Sequence, residues 1–374
     1  MSITAYHLTP RGPMHFGGRG AGVESTSVTC PADTLFGAVC HALREREGRA
    51  ALEAMLDRFV HRDPPFLLSS LLPRVGTVRL VPRPMVATRH DPTASVPTEG
   101  VRKQGKRLRY LSWDLTRRAL DGDPVPAPDA SGGTVVGGDG APLRGYVAWL
   151  TPEERARLVV DGLWVADGAR VRSWWEAGRE TRVPRVTVDR QTGASEIFHA
   201  GRVLFRPGCG LYLLVRWRDA SWRPRLEAIL DLLSDSGIGG ERSIGHGQFD
   251  VDAAIDVEEP DASTADGFVT LAPYCPTEGE ISGGILDRPG AWDLATHGGW
   301  IGTPGVALRQ RTVTMLAEGS ALRAPDIAAG AVVFGAAVNV TPSAPTFRSS
   351  EAFHEVYRYG YAFPWPAVLE EAAR

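Results

Sequence analysis

Lysine is almost missing from this chain: of its 41 basic residues only Lys103 and Lys106 are lysine, and the rest are arginine. A GC-rich genome produces such a bias, and it also equips the surface with forked guanidinium donors suited to phosphate and base edges. Cysteine is scarce too. Cys30, Cys40, Cys209 and Cys275 lie far apart with no C-x-x-C pair, which excludes a zinc knuckle or a dense disulfide framework and points to reduced, cytosolic thiols. The net charge of −3 removes any whole-molecule argument for nucleic-acid binding and leaves local patches open. The longest apolar run, residues 327–338, is too short to cross a bilayer, and no signal-like segment opens the chain. A cytoplasmic protein with no membrane partner is therefore expected. No periodic repeat is visible. At 374 residues and 43% hydrophobic content, two or three globular domains are expected.

What the chain does have is glycine in one concentrated place. Residues 236–249 read SGIGGERSIGHGQF, with Gly237, Gly239, Gly240, Gly245 and Gly247 surrounding Arg242, Ser243 and His246. Such a run lets a backbone take positive φ and lets a ligand approach its amides, so it is a candidate anion cradle with Arg242 as a forked donor. Neither familiar phosphate loop fits. The dinucleotide fingerprint needs glycine where Arg242 stands, and a Walker loop aligned on Gly240 and Gly245 would place His246 and Gly247 where it requires lysine and a hydroxyl. A helix C-cap followed by a turn explains the glycines equally well.

Periodicity predicts strand over 3–8, then a helix opening near Asp33, read as its cap, with Leu35, Phe36, Val39 and Leu43 facing a core. Strands at 66–72 and 77–81 flank a turn at 73–76. Residues 121–145 lack periodicity and read as a surface insertion, followed by a capping box at Thr151, Pro152 and Glu154. Residues 183–205 read as a long hairpin around Gln191-Thr192-Gly193. A period-two strand at 211–217, a helix from Pro224 with Leu226, Ile229, Leu230 and Leu233 on one stripe, and a strand at 248–256 complete a split βαβ order. Beyond an acidic link at 258–261, strand-like runs at 268–272, 312–316 and 331–340 suggest a second, smaller sheet domain.

Several segments together resemble one family, the fourth subunit of the type III-A CRISPR (Csm) effector, in the Cas5-like branch of the repeat-associated mysterious proteins (RAMPs). They are Pro31-Ala32-Asp33-Thr34-Leu35-Phe36, the strand pair of 66–84 ending Pro82-Arg83-Pro84, Val186-Thr187-Val188-Asp189-Arg190-Gln191-Thr192-Gly193, and the glycine loop. Met315-Leu316-Ala317-Glu318-Gly319-Ser320 and the stretch from His354 to Pro364 complete the set. The resemblance implies an α+β chain of two ferredoxin-like (RRM-like) domains, 1–257 and 258–374. The first would carry a β-hairpin thumb and a long insertion at about 86–206. It implies a subunit without a catalytic site, metal or cofactor that grips the repeat-derived 5′ handle of the crRNA and contacts a Cas10-type large subunit and a RAMP backbone subunit. Residues 121–178 exceed what the family usually carries.

On that reading the RNA-binding residues are Gly237, Gly239, Gly240, Arg242, Ser243, Gly245, His246 and Gly247 of the loop. His15 and Arg19 after the first strand, and Arg185, Arg190 and Phe198 on the hairpin, join them. A hairpin carrying apolar and basic groups can wedge between bases while neutralising phosphate. The basic run 101–118, with Tyr110 and Trp113 interleaved, is either a further RNA contact or a solvated face. Two rivals stand beside the clamp: a Cas6-like endoribonuclease using His15 or His246, and a purely protein-binding scaffold.

Overall fold

A computed structural model of the chain describes residues 2–17, 24–86, 109–122, 134–135, 148–163, 178–301, 308–344 and 353–369. The insertion is described only in part, and Arg19 and residues 101–108 lie outside the described residues. The first strand, Ser2–Pro10, sits inside a large sheet, antiparallel to Phe249–Val257 on one side and to Cys209–Trp217 on the other. Beyond Cys209–Trp217 come Leu72–Val75 and Val78–Pro82, then short strands from the inserted region. The helix Ala32–Glu47 and the helix Arg223–Ser236 pack against each other, and the Tyr6 hydroxyl on the first strand donates to Glu227 on the second helix at 2.9 Å. Leu35, Phe36, Val39, Leu43, Leu226, Ile229, Leu230 and Leu233 are all buried, so the two apolar stripes cover this face of the sheet as their spacing predicts.

Every residue of Cys209–Trp217 is buried, whereas a period-two strand is expected to leave one face to water. The alternate face is covered by the C-terminal part of the chain. There the Arg216 guanidinium, 1% exposed, donates to the Pro364 carbonyl at 2.9 Å, pairs with Glu259 of the acidic link at 3.2 Å and lies over the Phe363 ring. The pairing with the first strand is so close at Gly210 that a Cβ there would run into the Leu8 carbonyl. Gly210→Val should therefore cost about 1–3 kcal/mol of stability by overpacking, read as a lower urea midpoint at unchanged slope.

Other departures from the sequence expectation are local. Pro73 lies within the strand Leu72–Val75, and the chain turns later, at Gly76 and Thr77. The helices Arg49–Val60 and Trp113–Leu120 are not foreseen from periodicity. Residues 331–340 form only the two-residue strand Val338–Asn339. The capping box is present as read, with the Glu154 amide donating to Thr151 and Glu154 accepting from the Thr151 amide. Asp33 does not cap its helix. Pro31 holds the N-cap position without a side-chain bond, the Ala32 amide donates to Ser70 Oγ at 3.0 Å, and the Asp33 carboxylate points away to accept from His297 Nδ1 at 3.0 Å and from Arg358.

The C-terminal part is built on a three-stranded antiparallel sheet in the order Ala321–Arg323, Gly267–Thr270, Pro364–Ala367, with a small core of its own around Phe268, Tyr274 and Phe334. Among the described residues its one α-helix is Glu278–Ser282. Val269, Tyr359, Phe363 and Trp365 belong to the same buried cluster as Leu72 and Val215, so the main core runs without a break across the acidic link. No helix of the described residues is long and apolar enough to cross a membrane.

Candidate nucleic-acid interface

The Arg223–Ser236 helix ends at Gly237, whose φ of +78° closes it with its amide on the Leu233 carbonyl at 2.8 Å. The chain then folds back on itself. The Ile238 amide meets the Gly247 carbonyl at 3.1 Å, and Gly247 in turn donates to Pro13 at 2.9 Å. Gly240 donates to the His15 carbonyl at 2.9 Å, and a Cβ at Gly240 would strike the His15 ring. A Cβ at Gly239, where φ is +87°, would strike the His15 carbonyl. These glycines thus serve a tight seam between the loop and the segment after the first strand. Gly245 differs: it is exposed, with nothing within 4 Å of where its Cβ would stand.

Between these anchors the loop presents Arg242–Ile244 as an exposed turn, preceded by Glu241 in the left-handed conformation at φ 60°. The amides of Gly239, Glu241, Arg242 and Ser243 have no acceptor among the described residues, and Arg242 has no carboxylate within salt-bridge distance. Free amides beside an exposed guanidinium make a concavity that favours anions.

The long hairpin, Gly178–Val188 with Ser195–Phe205, rises beside this loop. Its tip is fixed by the Asp189 carboxylate, which accepts from the amides of Gln191 at 2.7 Å and Thr192 at 3.1 Å. Arg190 stands exposed at that tip. Pairing sets two faces. Arg185 and Phe198 oppose each other on the face turned to the loop, where Arg185 meets Glu241 at 2.9 Å and His15 Nδ1 donates to the Gly201 carbonyl at 2.7 Å. Val186 and Ile197 oppose each other on the outer face, 55% and 69% exposed, with Val188 at 59% beside them.

The structure therefore brings the loop, His15 and the middle of the hairpin together, while Arg190 stands at the tip and the outer apolar residues lie on the opposite face. His15 and His246 are each 5% exposed. Burial first, then the neighbouring Arg185 guanidinium, push the His246 imidazole below its ordinary value, and its Nδ1 has no partner among the described residues. Neither ring stands open to a phosphodiester backbone. Glu241, which ties loop to hairpin, escapes sequence reading because its partner is 56 residues away, as counted from 185 to 241. Arg202, also near His246, is legible only as one more basic residue of the hairpin.

Residues 263–367 match the CRISPR Csm4 C-terminal domain family. The chain is 25% identical over 348 residues to the CRISPR system Cms protein Csm4 of Thermococcus onnurineus (strain NA1), an alignment covering 91% of this chain and 92% of that protein. It is 24% identical over 319 residues to the protein of the same name from Mycobacterium tuberculosis (strain H37Rv), covering 83% and 85%. Among solved structures, one chain of the Csm3–Csm4 subcomplex of the type III-A CRISPR-Cas interference complex superposes with a TM-score of 0.61 at 16% identity, over 98% of this chain and 99% of that one. One from the Csm1–Csm4 cassette with cA4 gives 0.55 at 19% identity over the whole of both. At such identities the superpositions establish a shared fold.

Proposed function

The chain belongs to the Csm4 family of type III-A CRISPR systems, and from that premise we propose that it is the non-catalytic subunit that grips the crRNA 5′ handle. In that role it joins a Csm1 (Cas10-type) subunit to a Csm3 backbone subunit, as the solved relatives are found with those partners. The observation that carries this reading is the loop turn at Arg242, where amides without an acceptor among the described residues stand with an exposed guanidinium beside the projecting hairpin. Phosphate contacts there would position the strand, and base contacts would specify it. The order of the large sheet supports a ferredoxin-like first domain, since the last strand lies beside the first, the first beside the third and the third beside the second. The C-terminal part would be an abbreviated relative of the same plan.

The enclosure of His15 and His246 weighs against the endoribonuclease alternative, because a general acid or base must reach the proton it moves. Replacing Arg242 by alanine, which leaves the glycine seam with His15 intact, should lower crRNA occupancy of the assembled complex. The measurement is sequencing and quantifying the 5′ ends of co-purified RNA. Undiminished occupancy with one uniform repeat-derived end would sink the assignment of the loop.

A further inference from the structure

We infer that the RNA-binding surface continues past the glycine loop onto the outer face of the helix Ala32–Glu47, where Gly37, His41 and Arg44, with Arg242 and His354, receive the backbone of a single-stranded RNA. The inference rests on the reading of the loop as an RNA contact and extends its footprint to residues that reading does not include.

Two elements converge on this helix. The Arg223–Ser236 helix packs on the first helix and delivers the loop that carries Arg242. The strand Tyr357–Arg358 packs on the first helix from the C-terminal part, and His354 lies just before it. Their charges are felt at His41: desolvation comes first, then the Arg242 and Arg44 guanidiniums, with His354 adding to them and Glu45 opposing, and the imidazole is held below its ordinary value.

Many arginines of this chain are neutralised in ion pairs, though Arg182, Arg190, Arg202 and others on different surfaces also meet no carboxylate among the described residues. Arg11, Arg49, Arg58, Arg74, Arg185, Arg216, Arg218, Arg223 and Arg225 each meet a carboxylate. Arg44 and Arg242, both exposed, meet none within salt-bridge distance among the described residues. Unneutralised guanidiniums drawn together from two elements raise the local potential and suit a polyanion. The helix is also bare where a strand would cross it. Gly37 stands exposed in mid-helix with nothing within 4 Å of the position its Cβ would take, so the protein's own packing does not call for glycine there. Glycine weakens a helix interior, and its gain is close approach by another molecule.

The test is fluorescence anisotropy of the full chain with a fluorescein-labelled, repeat-derived single-stranded RNA of about 12 nucleotides, at several salt concentrations. The double variant His41→Ala/Arg44→Ala should bind roughly tenfold more weakly and with a shallower salt dependence, by about 0.7 for each phosphate no longer neutralised. Gly37→Gln should keep or raise the melting temperature, since it improves the helix, and still weaken binding. If Arg242→Ala weakens binding while both helix variants match the wild type in affinity and salt slope, this inference is overturned and the loop assignment survives. If the wild-type chain binds no RNA, both fall.

Discussion

Asp33→Ala is expected to lower the stability of the chain by about 3–5 kcal/mol, the penalty for stripping a buried ion cluster of its anion. The Asp33 side chain is fully buried and accepts from both His297 and Arg358, whose side chains are 12% and 7% exposed. Arg358 also donates to Gln310 at 2.6 Å, and Ser70 bridges from the start of the same helix to the buried Glu318 carboxyl at 2.6 Å. Removing the carboxylate leaves an imidazole and a guanidinium facing one another across a buried seam. Because Asp33 and Ser70 come from the N-terminal part and His297, Glu318 and Arg358 from the C-terminal part, the loss falls on the joint between them. Limited proteolysis should cut the variant near the acidic link sooner than the wild type, and chemical denaturation should show the lower midpoint. An unchanged midpoint would refute the assignment.

The same cluster has a pH signature. Burial raises the Asp33 carboxyl, but the hydrogen bond and charge of His297 and the charge of Arg358 outweigh it and hold it below 3.8. Burial lowers His297, but its bond to Asp33 outweighs that and raises it above 6.5. The Asp33 contribution is complete above 3.8 and fades as pH falls through the depressed folded value. The His297 contribution is complete below 6.5 and fades as pH rises through the elevated one. Glu318, raised by burial, adds its own loss above 4.5, so the informative readout is the difference between wild type and His297→Gln. That difference should be greatest near pH 6 and shrink toward alkaline pH. A flat difference would count against a charged His297.

Much of this architecture is legible in sequence wherever the determinants are local. The apolar stripe from Leu35 to Leu43, the Thr151 capping box and the Gly237 helix end are each written within a few residues and stand as read. Asp33 shows the limit. A carboxylate beside a helix start reads as a cap, and its actual partners lie 264 and 325 residues away. The glycine loop shows another: spacing reveals freedom of backbone, but only the fold reveals that Gly239 and Gly240 spend it on His15 while the Arg242 turn stays open. Arg44 and His41 look like any solvated helix face until the loop is brought alongside.

Arg185 illustrates how the fold changes the role expected of a residue, and it carries the second large prediction. A basic residue on a projecting hairpin reads as a phosphate contact, yet here it is 27% exposed and engaged with Glu241. That pair and the His15 bond to Gly201 hold the middle of the hairpin against the loop, so Arg185 is expected to act on RNA binding chiefly by setting the angle between them. Arg185→Glu places like charges at the seam and should weaken RNA binding on the order of ten- to a hundredfold, of which the removal of one phosphate-neutralising cation explains only a small part. The exchange Arg185→Glu/Glu241→Arg restores opposite charges and moves the guanidinium onto the loop, so binding should return to within a few fold of wild type. A direct phosphate contact at Arg185 would instead leave the exchanged variant as weak as the single one, since its cation would stand on the wrong element. Anisotropy on all four members of the cycle separates the two roles, and the coupling between the substitutions measures how far the clamp depends on its hinge.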